Sequence, residues 1–241
     1  MSTYQELKGL KIKYLSSDTS GDRLKEGEVF YNSTDFKLKS FISSAAWHTG
    51  GSLLTARNNG SGAGTMTAGL GVGGNYPDNM RLVEEYNGSG WASATNSPYD
   101  AQLAASIGTQ TAAATFGGIS PPGTHATTVE YDGTNWTSGG ALNVGRWGAG
   151  RGTVGPQTAC LAFGGDSSSP TVQSVTEAYD GTSWSTRPNL ATARRAAGGA
   201  GGANAQTAAL CSGGYSSTII NTTEEFTGAT ESAAASNLAS S

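Results

Sequence analysis

Thr111-Ala112-Ala113-Ala114-Thr115-Phe116-Gly117-Gly118 is a run of small residues that ends on two glycines, and the chain uses it again and again. The same Thr-Ala-x-x-x-x-Gly-Gly pattern spans Thr67 to Gly74, Thr158 to Gly165 and Thr207 to Gly214. Successive copies start 44, 47 and 49 residues apart. A second marker follows each: Glu85-Tyr86-Asn87-Gly88, Glu130-Tyr131-Asp132-Gly133, Tyr179-Asp180-Gly181 and Glu225-Phe226-Thr227-Gly228. In the first three copies a tryptophan stands three residues after that glycine: Trp91, Trp136 and Trp184. Arg146 and Arg194 stand ten residues beyond Trp136 and Trp184. Nested markers at a fixed period describe one supersecondary unit used four times.

Each copy reads as four short strands. The first is the Arg-led stretch, the second the Thr-Ala run, the third enters the Tyr and the fourth carries the Trp. Asn-Gly or Asp-Gly between the last two supplies the positive φ of a tight hairpin turn. Four antiparallel strands repeated at this period form the pattern of a β-propeller blade. Small side chains crowd the second strands, as inner strands converging on an axis require. The large aromatics fall on the third and fourth strands, where blades stack. Trp91, Trp136 and Trp184 are accordingly read as core, and Arg57, Arg146 and Arg194 as packing residues that bind carbonyls locally. Glu85, Glu130, Glu177 and Glu225 recur with the repeat and are read as structural.

The ordered Gly-Gly, Tyr and Trp markers resemble the kelch repeat, also seen in the central domain of galactose oxidase. That resemblance implies an all-β fold, a small kelch-like β-propeller of about four four-stranded blades. Gly74, Gly118, Gly165 and Gly214 are its structural glycines. The fourth copy has no tryptophan, but Trp47 stands ten residues before Arg57. The Trp47 strand is therefore expected to complete the last blade, closing the ring by pairing N- and C-terminal strands and removing exposed edges. Kelch rings usually hold more blades than four, so packing of the repeats against other subunits stays open.

Composition divides the chain. Residues 1–40 hold seven of 14 basic and six of 18 acidic residues, and Lys39 is the last lysine. The expected modules are residues 1–44, residues 45–230 with the propeller, and an Ala/Ser-rich tail at 231–241. In the first, Gly27 to Phe41 alternates apolar and polar residues about Ser33-Thr34-Asp35 and reads as a hairpin, with Phe36, Leu38 and Ser40 on one face.

The 241 residues carry a net charge of -4 and 13% charged residues, so no basic surface points to nucleic acid. No apolar run reaches the roughly 18 residues of a membrane span. The first fifteen residues show no basic-then-apolar block, so no secretory leader is expected. The two cysteines, Cys160 and Cys211, are read as buried apolar side chains in equivalent places of two repeats.

Catalysis finds little footing. His48 and His125 are the only histidines, and no copper-site residues of galactose oxidase map onto the chain. No catalytic residue, metal or cofactor is expected. The loops after each double glycine differ in sequence and share one rim, a common way to build a recognition surface on a rigid scaffold. Tyr76, Asp78, His125, Asp166 and Tyr215 are the candidate binding residues.

Gly27 to Lys39 resembles short hairpin segments in tail-fibre and other virion proteins of tailed bacteriophages, and Gly/Ser/Thr/Ala-rich kelch-like arrays behind such a segment are similar to structural proteins of marine phages. The resemblance implies a non-enzymatic virion protein, a tail fibre or tail appendage, located in the particle. Residues 1–50 would bind other virion proteins, and the propeller a host-surface glycan or protein or a neighbouring subunit. A homo-oligomer, with a trimer favoured, is expected. The alternatives are a capsid decoration protein and an extracellular carbohydrate-acting enzyme.

Overall fold

The structure is a computed structural model that describes residues 3–7, 10–16, 29–40, 49–75, 77–78, 81–149, 155–167, 172–201 and 206–228. The chain divides into two units, Met1–Thr49 and Gly50–Ser241. Among the described residues all regular structure is β.

The first unit is one sheet, in the order β1 (Thr3–Leu7), β2 (Leu10–Leu15), β3 (Val29–Asn32) and β4 (Lys37–Ser40). β1–β2 and β3–β4 are antiparallel, while β2 and β3 run parallel. The β3–β4 turn is held from within: Asn32 Oδ1 accepts the Thr34 and Asp35 amides at 2.9 and 3.1 Å. Phe36 departs from its expected place on the face of Leu38 and Ser40. It sits in the turn at φ 54° and is exposed. Four turn residues, one more than the sequence suggested, displace it from the alternation.

In the second unit each repeat folds as its own antiparallel sheet. The first is β5 (Ser61–Thr65), β6 (Ala68–Val72), β7 (Val83–Tyr86) and β8 (Trp91–Ser93). The second is β9 (Ala105–Thr109), β10 (Ala112–Phe116), β13 (Thr128–Tyr131) and β14 (Trp136–Ser138), with a hairpin of β11 (Ile119–Ser120) and β12 (Gly123–Thr124) set between β10 and β13. The third is β15 (Cys160–Phe163), β16 (Thr176–Tyr179) and β17 (Trp184–Arg187), and the fourth is β18 (Gly198–Gly201), β19 (Ala208–Ser212) and β20 (Thr223–Thr227). Trp47 and residues 150–154, where the strands completing these two sheets were expected, lie outside the described residues, as does the 231–241 tail.

Turn chemistry sets the strand ends. Asp132 Oδ1 accepts the Thr134 and Asn135 amides at 2.8 and 2.7 Å, and Gly133 takes φ 95°. Asp180 and Asn87 build the same turn in their own sheets. At the double glycine the backbone of the next repeat comes too close for a side chain. A Cβ on Gly117, at φ 66°, would stand 2.5 Å from the Arg146 carbonyl oxygen, a position only glycine occupies without strain.

The sheets stack in chain order because successive residues on a strand face opposite ways. Leu70, Val72 and Val83 of the first sheet share a core with Ala113, Val129 and Tyr131 of the second. Ala114 and Phe116 of the second meet Cys160, Tyr179 and Trp184 of the third. Leu161 and Phe163 of the third meet Cys211 of the fourth. Burying a ring such as Phe116 stabilises by about 2–3 kcal/mol, and its edge contact with Trp184, centroids 4.7 Å apart, adds about 1 kcal/mol. Trp184 is buried, whereas Trp91 and Trp136 are half-buried. Both cysteines are free and buried. They are not equivalent, however: Cys160 pairs with Tyr179, and the residue paired with the matching Phe226 is Ala209, two places before Cys211.

At the β5 and β9 edge, adjacent repeats touch through their backbones. Leu103 N donates to Asn59 O at 2.9 Å, Gly148 N to Leu103 O at 3.3 Å and Ala196 N to Gly148 O at 3.1 Å. All four residues hold left-handed φ, between 52 and 67°.

An ion pair marks three repeats: Arg57–Glu84 and Arg146–Glu177, both buried, and Arg194–Glu224, whose glutamate is partly exposed. Arg57 and Arg194 also donate to the Gly73 and Gly213 carbonyls at 3.2 and 3.1 Å. Glu177 therefore belongs with Glu84 and Glu224, each two residues before its aromatic marker, and not with Glu85, Glu130 and Glu225, with which the sequence reading grouped it. In the second repeat Ala101 and Val129 stand at these two places, both fully buried in one core cluster. The Tyr99 hydroxyl there donates to the Gly117 carbonyl at 3.0 Å, replacing the guanidinium. Both ionic partners are exchanged together for apolar ones, which avoids a lone buried charge.

Candidate functional site

The residue after each double glycine pairs with the residue after each Arg-position residue. The bridges are Asn58↔Asn75, Gln102↔Ile119, Trp147↔Asp166 and Arg195↔Tyr215. Backbone hydrogen bonds fix them: Trp147 N to Asp166 O is 2.9 Å and Arg195 N to Tyr215 O is 2.9 Å. One backbone position thus carries a different side chain in each repeat.

Between the third and fourth repeats these side chains interlock. The Arg195 guanidinium lies over the rings of Trp147 and Tyr215, 4.9 Å from each centroid. Its Nη1 donates to Asp166 Oδ2 at 2.9 Å. Asp166 is fully buried, and its Oδ1 has no partner among the described residues. Arg195 keeps 31% of its side chain exposed and Tyr215 38% of its surface. The result is a guanidinium held in place by two rings and a carboxylate, with one free buried acceptor beside it. Such a set offers fixed donors, an acceptor and aromatic surface to a polar ligand.

Asp166 and Tyr215, 49 residues apart in sequence, are brought together here by Arg195. His125 stands at the foot of the β11–β12 hairpin, where its Nε2 and the Ser120 hydroxyl share a hydrogen bond of 2.6 Å. Its ring meets Tyr99 edge-on, with centroids 5.3 Å apart. The hairpin reaches the next loop through Thr124 Oγ1, which donates to Ser167 O at 2.8 Å. Asp78 is exposed in a bend of the first loop, and Tyr76 lies outside the described residues.

Sequence reading missed Arg195 and Trp147. The available signal was their place: each directly follows a repeat arginine, Arg194 or Arg146. Among the described residues no group of three His, Cys, Asp or Glu could hold a metal ion. Neither a protein-family model nor a curated protein matches the chain.

Proposed function

We propose that the chain is a non-enzymatic structural protein of a bacteriophage particle, a tail fibre or tail appendage, that presents its repeat unit to a host surface or a neighbouring subunit. In this reading the four sheets are blades of a small kelch-like propeller, and residues 1–50 attach to other virion proteins. The backbone contact of successive repeats along one edge supports the blade reading. So does the approach to the first repeat: Gly50 and Gly51 lie against Tyr86 and Ser89 as Gly139 and Gly140 lie against Tyr179 and Thr182.

The observation that carries the binding role is the rim. Asn75, Ile119, Asp166 and Tyr215 occupy one repeated backbone position with unlike chemistry, as a recognition surface on a rigid scaffold requires. A binding assay on host cells and on a glycan array, with Tyr215→Ala beside the native chain, tests it. Weaker binding at unchanged melting temperature is expected. Native binding by the variant, or none by the native chain to any cell or glycan, would remove the host-recognition role.

A further inference from the structure

Two series of backbone hydrogen bonds join each repeat to the next and stop at the last one, and a third series, made by side chains, joins the first three repeats. The inner ladder ends with Ala196, whose carbonyl would meet the Asn59 amide in a fourth step. Gly74 N, Gly118 N and Gly165 N donate to the carbonyls of Ala101, Arg146 and Arg194 at 3.2, 2.9 and 2.8 Å. The matching donor in the last repeat is Gly214 N, and the matching acceptor is Arg57 O.

The third series is made by side chains and is the most specific. The Tyr131 hydroxyl donates to Glu85 of the preceding sheet at 2.8 Å, and the Tyr179 hydroxyl donates to Glu130 at 2.8 Å. At the next step both partners have changed: Phe226 stands in the tyrosine's place and Ala178 in the glutamate's. Where the donor is lost the acceptor is lost with it. At the remaining step, from the last repeat back to the first, both are present. Tyr86 is in register with Tyr131 and Tyr179, and Glu225 is in register with Glu85 and Glu130, opposite Leu210 as Glu85 is opposite Leu70.

Neither side-chain end has a hydrogen-bond partner among the described residues. Among the described residues their faces are also less buried than the matching faces between repeats. Leu70 is buried by the second sheet, whereas Leu210 is half-buried and Glu225 exposed. On the other side Trp91 and Tyr86 are half-buried beside Met66, which is 87% exposed. Among the described residues no core cluster joins the first sheet to the last.

We propose that the Tyr86 face of the first sheet binds the Glu225 face of the last sheet of a second copy of this chain, with the Tyr86 hydroxyl donating to the Glu225 carboxylate. The contact continues the interface already repeated within the chain, which is why a second copy fits it. It is head-to-tail, so copies close into a ring or extend into a row. The inference rests on the blade reading of the sheets and is independent of a place in a virion.

A charge exchange tests it by sedimentation of the full chain. Tyr86→Glu sets a carboxylate against Glu225, and Glu225→Lys removes the acceptor. Each variant alone should self-associate about tenfold more weakly or worse, because a hydrogen bond to a charged group is lost. Mixing the two should restore assembly, since each then offers the face that the other needs. Tyr86→Phe, which keeps the ring, should weaken assembly without changing the melting temperature. Monomeric native chain at all concentrations would overturn the inference, as would two variants that assemble like the native chain. Restored stability only when both substitutions share one chain would assign the contact to a single copy and overturn it too. Coupling between Tyr131 and Glu85 checks the underlying stacking separately. If that pair couples while the 86–225 exchange fails, only this inference falls.

Discussion

The Tyr131 hydroxyl donates to the Glu85 carboxylate of the preceding sheet at 2.8 Å, across 46 residues of chain. Burial first, and this bond second, hold the Tyr131 phenol above its ordinary pKa. The donor stays protonated and neutral, so the pair places only one charge at the sheet interface. A double-mutant cycle of Tyr131→Phe and Glu85→Ala should show a coupling energy of about 1.5–3 kcal/mol in urea unfolding. Additive effects would mean that the two sheets do not meet as described.

Arg146 and Glu177 are fully buried as an ion pair. Arg146→Ala should cost about 3–5 kcal/mol, because it leaves a buried carboxylate without its cation. Adding Glu177→Val to Arg146→Ala reproduces the Ala101 and Val129 pair of the second repeat, and should recover much of the loss. Chemical denaturation of the three variants checks this. A double variant no more stable than Arg146→Ala alone would show that the two positions are not exchanged as a unit.

Acid should loosen two turns and spare a third. Backbone amides from Asn135 and Thr134 lower the Asp132 pKa, and those from Ser183 and Thr182 lower that of Asp180. A depressed carboxylate contributes stability above its unfolded pKa and loses it as pH falls through its folded pKa. Asn87 builds the equivalent turn without a charge. Amide exchange, corrected for its intrinsic pH dependence, should therefore lose protection at Thr134 and Thr182 below the ordinary carboxylate range and stay level at Ser89. Equal behaviour at all three amides would refute the assignment.

Cys160 is fully buried, and that burial raises its thiol pKa well above the ordinary value. Thiolate is the reacting form. An alkylating reagent should leave Cys160 unmodified in native protein at neutral pH and label it promptly in urea. Fast native labelling would place the residue at a surface.

Much of the fold was legible because its markers are local. The Asn-Gly and Asp-Gly turns and the Tyr-to-Trp spacing serve a backbone requirement inside a single sheet, and the double glycines serve close backbone approach at each repeat's edge. The partners of the glutamates were not legible. Glu84 and Glu85 are neighbours in sequence, yet pleating sends one to Arg57 and leaves the other for Tyr131 of the next sheet. Distance from the marker tyrosine decides which is which: Glu84 and Glu177 each stand two residues before it, a signal that grouping Glu177 with Glu85 passed over. The candidate site was half visible. Loop divergence pointed to Asp166 and Tyr215, but the residue that joins them, Arg195, looked like a duplicate of Arg194. A one-residue step separates a buried structural arginine from one held between two rings at the rim.

The place of the chain in a particle is the decisive measurement. The virion proposal predicts that immunogold electron microscopy of phage particles assembled from a genome carrying this sequence puts label on a tail fibre or tail appendage. Label over the capsid lattice would make it a decoration protein, and particles that carry none of the chain would end the virion assignment altogether.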